Sequence, residues 1–593
     1  MRPLDWVVLV CTLAGIVFYG LYKSRGSRTV SQYLLAGKTM PWYAMGLSIM
    51  ATQASAITFI STTGQAYVDG MRFVQYYFGL PIAMVLISAT AVPIFHRANV
   101  YTAYEYLERR FDAKTRLLGS IIFLIQRGLG VGIALYAPAL VLAVIFGWDD
   151  RVTTLIMGVL VILYTAAGGI PAVTWTDVLQ MSIILCGLVI ALFSVIHLLP
   201  SGLSFIDAVY LAGAVGKLNA VVPRFDLNDR YTLWSGLIGG AFLALAYFGC
   251  DQSQVQRYLT GKSIAQSKLS LLFNAMAKVP MQFFILFVGA MVFVFYLFEQ
   301  PPVLFQGTAM QAIAADSAPV EAQFSQAWKD RRDAAWKLAA AHRAGDPSAR
   351  QTALNDYRRA QTSMTAARQA GIKLYEKAQG KPGFNDTNYV FLSFVTRYLP
   401  TGIIGLVIAV IFAAAMSSSS GEVNSLATVT VIDIYKRHVR QNASDRHYLL
   451  ISRLATVFWG FYAVMFAQYA RNLGSLIEAV NMVGSLFYGT LLGVFTLAFF
   501  FRRVGGTAAF IGMLAGEAAI LSTVLSVGSE AGTSDSENSL AQAIRQGASQ
   551  SFNQTGEQVV GRSLNVQPTI TIRPGFPVNV LVTHDLVLEP YHN

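Results

Sequence analysis

Four consecutive serines, Ser417 to Ser420, stand inside an otherwise apolar stretch, 408–437 (IAVIFAAAMSSSSGEVNSLATVTVIDIYKR). Glu422 and Asn424 follow them. Hydrocarbon offers no water to hydroxyl, amide or carboxylate groups, so these side chains must face another helix or a hydrated cavity. Serines can hold membrane helices together by close packing and hydrogen bonds. Alternatively, their oxygens can join helix carbonyls as ligands of a hard monovalent cation, which prefers oxygen.

The composition is that of a polytopic, all-α membrane protein. The chain has 593 residues, of which 54% are hydrophobic and 13% charged, with a mean hydropathy of +0.49. A soluble protein carries about 25% charged residues. The net charge of +12 is expected from basic cytoplasmic loops and does not indicate nucleic-acid binding. The cysteines lie in apolar runs and do not form a metal or disulfide pattern.

Apolar runs predict about twelve transmembrane helices, the first of them an uncleaved span and not a signal peptide. Their predicted limits are 3–22, 41–68, 72–95, 117–147, 151–169, 178–199, 232–256, 280–298, 388–418, 448–469, 475–500 and 506–527. Basic residues concentrate after odd-numbered spans; Arg257 and Lys278 count toward the loop after the seventh. This alternation predicts a cell-membrane protein whose N-terminus and C-terminal tail are extracytoplasmic.

The composition of two segments does not predict membrane spans. Residues 300–385 predict an extracytoplasmic helical hairpin, broken at Gly345, within the membrane domain 1–527. Its mixed charges are typical of a solvated cap. In 528–593 the composition changes to Ser, Gln, Asn and Gly, followed by the strand-like run TITIRPGFPVNVLVTHDLVL. This tail therefore predicts a small, partial β or irregular segment.

Four motifs resemble the sodium–solute symporter family over about 1–520. They are SIMATQASAITFISTTGQAY, TAAGGIPAVTWTDVLQ, FGCDQSQVQRYL and FAAAMSSSSGEVNSLATVTVIDIYKR. The resemblance implies the leucine-transporter fold, in which spans 2–6 and 7–11 form two inverted five-helix repeats. It further implies sodium-coupled symport of a small organic solute by alternating access, with no enzymatic activity. Sodium, the solute and membrane lipid are the expected partners.

The resemblance also implies a sodium site. Carbonyls of Ala51, Ala54 and Ala414 and hydroxyls of Ser417 and Ser418 are its expected ligands. The stretch ATQASAITF is small and polar, so the second span can unwind there, although alanines also serve close packing. A second sodium site in some members implies Asp177, Ser418 and Ser420 here. Gly421 stands where those members have serine, which weakens the second site, and Asp177 can equally be a helix N-cap.

The solute site that the resemblance implies lies near the bilayer midplane. Its expected residues are Gln53, Thr58, Tyr77, Leu80, Ala244, Glu478 and, as an inner aromatic gate, Tyr247. Several polar groups of sugar carriers are missing from this set, so a sugar is not favoured. If Glu478 faces the cavity, an ammonium-bearing or hydroxylated solute is favoured over a carboxylate. Glu422 either reaches cytoplasmic water or needs a buried partner.

The tail resembles the C-terminal end of the type IV secretion, conjugal-transfer subunit of the outer-membrane core, which suggests a chimeric chain. Three alternatives to a transporter remain open. A solute sensor requires a cytoplasmic signalling domain, and a secretion component requires the rest of that subunit. A channel would pass sodium without solute.

Overall fold

The computed structural model describes residues 2–25, 28–147, 149–226, 229, 231–380, 382–470 and 476–530. The chain forms two compact units, Met1–Glu517 and Ala518–Asn593. Every residue of the candidate site belongs to the first unit. Most of the predicted tail, from residue 531 onward, lies outside the described residues.

The described part is helical, with one isolated β-bridge between Met40 and Gly261. The helices are α1 (Pro3–Lys23), α2 (Val30–Leu35), α3 (Trp42–Gln53), α4 (Ala56–Asp69), α5 (Leu80–Ala89), α6 (Ala91–Ala98), α7 (Ala103–Arg110), α8 (Ala113–Phe146), α9 (Asp150–His197), α10 (Phe205–Ala214), α11 (Gly240–Gly249), α12 (Gln252–Leu259), α13 (Ile264–Phe298), α14 (Gly307–Ala312), α15 (Ala318–Ala344), α16 (Pro347–Gln379), α17 (Thr387–Tyr398), α18 (Ile403–Val429), α19 (Asp445–Ala470), α20 (Leu476–Phe500) and α21 (Gly506–Glu530).

The second predicted span is broken where its sequence is small and polar. Helix α3 ends at Gln53, α4 begins at Ala56, and Ala54 between them has φ −88° and ψ 63°. The axes of 42–53 and 58–69 differ by 58°. A break of this kind leaves carbonyl groups without helical partners, which membrane proteins tolerate only beside protein, water or an ion.

Helix α9 contains both the fifth and the sixth predicted spans. As one straight helix, its 48 residues would extend about 72 Å, more than twice the hydrocarbon thickness. Gly169 breaks it with φ 62° and ψ −152°. A Cβ at this position would lie 2.4 Å from the carbonyl oxygen of Tyr33. Residues 170–177, between the fifth and sixth predicted spans, are therefore helical, because the helix resumes directly after Gly169.

The ninth predicted span, 388–418, is also divided. Residues 387–398 form α17, and α18 begins only at Ile403. Pro400 cannot donate a helical hydrogen bond, and Gly402 has φ 90°. The Asp5 carboxylate of α1 then accepts hydrogen bonds from the Gly402 amide at 2.5 Å and the Gly405 amide at 3.3 Å. These bonds satisfy amides that the start of α18 would otherwise leave free.

Two basic residues assigned to a cytoplasmic loop lie instead inside helices. The seventh span is interrupted between α11 and α12, and Arg257 is a buried residue of α12. The eighth helix begins at Ile264 and not at residue 280, so Lys278 is buried within α13. The assignment failed because a charge count cannot distinguish a loop from a helix that encloses its charges.

Helix α18 lies at the centre of the first unit. It packs against α1, α3, α8, α9, α12 and α19. Its residues from Val407 to Val429 are all buried. The serine row therefore meets other helices on every side, and none of its polar groups faces lipid.

Seven described helices are long and apolar enough to cross a membrane, or eight if α3 and α4 count as one broken span. This establishes a polytopic helical protein, and the number twelve stays a prediction. The segment between α13 and α17 contains α15 and α16 as two antiparallel neighbours joined at Gly345, which has φ 74°.

Candidate functional site

The serine row of α18 meets the break between α3 and α4. Ser418 Oγ donates to the carbonyl oxygen of Thr52 at 3.1 Å and to that of Ala414 at 3.1 Å. Thr52 lies in the last turn of α3, where the helix ends and its carbonyls lose their partners. Hydroxyl and carbonyl oxygens from two helices thus converge on one buried point.

The other predicted sodium residues surround this point only in part. Ala51, Ala54 and Ala414 are fully buried in one cluster with Met181 and Met281. Ser417 points elsewhere: its Oγ donates to Asp177 Oδ1 at 2.6 Å. The oxygen set fits a hard cation, since carbonyls and a hydroxyl are close together at a buried position. The coordinating role of each of the five residues stays a prediction.

Asp177 is the centre of a separate buried network. Its Oδ1 accepts from Ser417, and its Oδ2 accepts from Ser48 Oγ at 2.5 Å and faces Arg257 Nη2 at 3.5 Å. Asp177 lies inside α9, so its reading as a helix N-cap is wrong. Ser420 Oγ donates to the carbonyl of Ser417 within α18 and makes no bond with Asp177.

A cavity of about 140 Å³ adjoins the break. Thr52, Ser418 and six of the seven predicted solute residues line it: Gln53, Thr58, Tyr77, Leu80, Ala244 and Tyr247. The seventh, Glu478, belongs to α20, but its side chain lies outside the described residues. The structure therefore brings these six predicted solute residues together, and Thr52 and Ser418 belong both to the cavity and to the place where the oxygens converge.

An arginine that sequence reasoning did not select, Arg127 of α8, also lines the cavity. Its Nη1 donates to Glu422 Oε1 at 2.8 Å, and its Nη2 donates to Asp251 and, at 2.9 Å, to Tyr488 Oη. Glu422 is thus buried against Arg127, and its reading as a cytoplasmic interfacial residue is wrong. The available signal was one arginine inside the apolar run GSIIFLIQRGLGVGIALY.

Lys278 of α13 is the second missed residue. It is 0% exposed, and its Nζ lies 5.5 Å from the centroid of the Tyr77 ring, which lines the cavity. Within the described part of the chain, Nζ has no hydrogen-bond or carboxylate partner. A buried ammonium without a counter-charge is costly in a membrane protein, and such residues mark substrate or ion pathways.

The described residues contain no group of three or more His, Cys, Asp or Glu side chains arranged to hold a metal ion. The assembled groups are carbonyls, hydroxyls, aromatic rings and paired charges around a cavity. Such groups bind and release ions and solutes.

The sequence pattern of the sodium:solute symporter family matches residues 33–319 and 372–516. The chain is 28% identical over 536 residues to the sodium-coupled monocarboxylate transporter 1 of Xenopus laevis, covering 88% of this chain and 71% of that protein. It is 28% identical over 523 residues to the sodium/sialic acid symporter NanT of Aliivibrio fischeri, covering 87% of each.

A solved structure of a sodium-coupled symporter is also similar to this chain. The substrate-bound, outward-open state of a Na⁺-coupled sialic acid symporter superposes with a TM-score of 0.66 at 25% identity, covering 93% of this chain and 98% of that one. The matched pattern ends at residue 516. These comparisons give no support to the secretion-subunit resemblance of the tail.

Proposed function

The chain belongs to the sodium:solute symporter family, and on this premise we propose that the solute it carries is a small organic carboxylate. Sodium-coupled symport is a transport activity and involves no enzymatic step. The solute class is decided by the charges around the cavity.

Lys278 is the observation that carries the proposal. Arg127 already has two carboxylate partners, Glu422 and Asp251. Lys278 has none among the described residues, and its Nζ lies 5.5 Å from the centroid of the Tyr77 ring. An anionic solute entering the cavity would supply the missing counter-charge, and a neutral sugar would not. Lys278 therefore favours a carboxylate over the ammonium-bearing or hydroxylated solute that Glu478 indicated.

The relatives support the same class. Two of them are named for monocarboxylates and sialic acid, and both of these solutes are carboxylates. The cavity adds the hydroxyl of Thr58 and the amide of Gln53. These neutral groups can bind the remaining polar atoms of such a solute.

The proposed sodium site adjoins the solute. Thr52 and Ser418 contribute to the convergence of oxygens and also line the cavity. A sodium ion held there by Ala51, Ala54, Ala414 and Ser418 would attract a bound carboxylate through a short, poorly screened distance. Because each ligand strengthens the binding of the other by the same factor, sodium and solute would cross together.

The proposed orientation places the N-terminus and the tail outside the cell membrane. Lys262 and Lys268 remain in or beside the loop after the seventh span once Arg257 and Lys278 are removed from the count. The odd–even alternation of basic loops therefore survives the correction.

Uptake by proteoliposomes containing the full chain tests the solute class. An inward sodium gradient should drive uptake of radiolabelled pyruvate or N-acetylneuraminate, and excess unlabelled monocarboxylates should compete. Galactose and choline serve as the neutral and cationic probes. Sodium-driven uptake of galactose or choline, with no effect of any carboxylate, would show that the proposed class is wrong.

A further inference from the structure

Arg257 fills the polar pocket around Asp177. It is 1% exposed, and its Nε donates to Ser48 Oγ at 3.0 Å. Its Nη1 donates to the carbonyl of Ser253, and its Nη2 faces Asp177 Oδ2 at 3.5 Å. The pocket therefore already encloses one positive and one negative charge.

Gly421 provides the space for this guanidinium. A Cβ at residue 421 would lie 2.0 Å from Arg257 Nη2 and 2.9 Å from its Cζ. Any larger residue would therefore displace the guanidinium, and three hydrogen bonds hold it in place. The serine that the second sodium site of the family would place at 421 is incompatible with this arrangement.

The remaining groups do not offer a free cation site. Both carboxylate oxygens of Asp177 already accept hydrogen bonds, and one of them faces the Arg257 guanidinium. A sodium ion added here would place two cations against one carboxylate in a medium of low dielectric constant, where like charges repel strongly. The residues present do not fit a second sodium ion.

We propose that Arg257 is the built-in cation of the Asp177 pocket, admitted by Gly421, and that it replaces a second sodium ion in the transport cycle. One sodium ion then accompanies each solute molecule. The inference rests on the proposed sodium site at Thr52 and Ser418. It deepens that function by fixing the number of coupled ions and naming the residue that sets it.

Equilibrium binding of ²²Na⁺ to the purified full chain, without solute, tests the proposal. The wild-type protein should bind one sodium ion per chain at saturation. Arg257→Met keeps a similar volume but removes the charge, so Asp177 should recruit sodium and the count should rise to two. Adding Asp177→Asn to that variant should return the count to one, and Arg257→Lys should retain one.

Two sodium ions per wild-type chain would overturn the proposal, as would a single ion bound by a correctly folded Arg257→Met protein. If Arg257→Met does not fold, the wild type and Asp177→Asn decide. If the wild type and Asp177→Asn each bind one sodium ion, the result supports Arg257 as the resident cation. If the wild type binds two sodium ions and Asp177→Asn binds one, the result contradicts the proposal. Because no solute is present, failure of carboxylate uptake leaves the sodium count unaffected, so the two proposals fail separately.

Discussion

At the scale of single residues, the site depends on which partner each buried polar group finds. Ser418 joins two helices through the carbonyls of Thr52 and Ala414, whereas Ser417 bonds with Asp177. Adjacent serines therefore serve different networks, because successive side chains of a helix point about 100° apart. The row of identical residues is not one site.

We predict that Ser418→Ala weakens sodium binding by about tenfold or more, equivalent to about 1.4 kcal/mol. The change removes the hydroxyl that meets the broken helix and leaves the fold intact. Binding of ²²Na⁺ measures the effect. Ser425→Ala is the matched control, since Ser425 is also buried in α18 and, among the described residues, its hydroxyl bonds with the Glu422 carbonyl of the same helix. Equal losses in both variants would indicate a general packing defect.

Lys278→Gln should weaken the apparent affinity for the carboxylate by about 30-fold. This is the effect of losing about 2 kcal/mol when one partner of a buried charge pair is removed. Sodium binding without solute should persist, because Lys278 makes no contact with Thr52 or Ser418 in the described structure. Concentration dependence of uptake measures this change. Lys262→Gln, at an exposed position, is the control. Unchanged carboxylate affinity in Lys278→Gln would contradict the proposed solute class.

At the scale of elements, broken helices supply the polar backbone of the site. The interruptions at Ala54 in the second span and between α11 and α12 in the seventh expose carbonyl and amide groups inside the bundle. Helix α18 crosses both breaks without interruption and presents its side chains to them. The start of α18 is in turn fixed by Asp5 of α1.

Asp5→Ala should therefore destabilise the protein without touching the site. The substitution leaves the amides of Gly402 and Gly405 without partners, and each buried unsatisfied donor costs about 1–3 kcal/mol. Thermal unfolding in detergent should show a lower Tm, with sodium still raising the Tm of the variant. Asp5→Asn keeps an acceptor oxygen and should recover part of the loss. A Tm equal to that of the wild type would exclude the capping role.

At the scale of the whole molecule, the middle of the predicted insertion and the tail lie outside the family pattern. Residues 320–371 are skipped by that pattern and include most of α15 and α16. This hairpin is nevertheless anchored: the buried Arg331 donates to the carbonyl of Tyr296 in α13 at 2.7 Å, and Arg368 donates to Asp386 at 2.5 Å. The insertion is thus part of the first unit's packing and not a freely attached appendage.

A chain ending after Glu530 should retain sodium-driven uptake, because every site residue belongs to the first unit and the family pattern ends at residue 516. Initial uptake rates of the full and shortened chains in the same proteoliposomes provide the measurement. Loss of uptake together with normal sodium binding would instead assign the tail a role in transport.

Cysteine labelling tests the orientation. In a background without the three native cysteines, Gln351→Cys in α16 should react with a membrane-impermeant maleimide in intact cells. His438→Cys should react only after permeabilisation. Both positions are exposed, so reagent access depends on the side of the membrane. The reverse pattern would invert the proposed topology.

The sequence by itself determined the class of protein and the broken second span, and it selected six residues that line the cavity. These follow from composition, from small polar residues in an apolar run, and from family motifs that preserve local spacing. It could not determine the partners of the buried charges. Arg257 and Lys278 were placed in a loop because a linear charge count contains no information about burial.

Only the tertiary structure decided where those charges lie. Glu422 and Arg127 are 295 residues apart in sequence, and Ser417 and Asp177 are 240 apart. Pairs of this kind form when separate helices pack, so no local pattern specifies them. In a membrane interior, a buried charge without such a partner carries a large free-energy penalty. The sequence does not show that Arg257 is paired, or that Lys278 has no partner among the described residues. These two findings carry the inferences about ion number and solute.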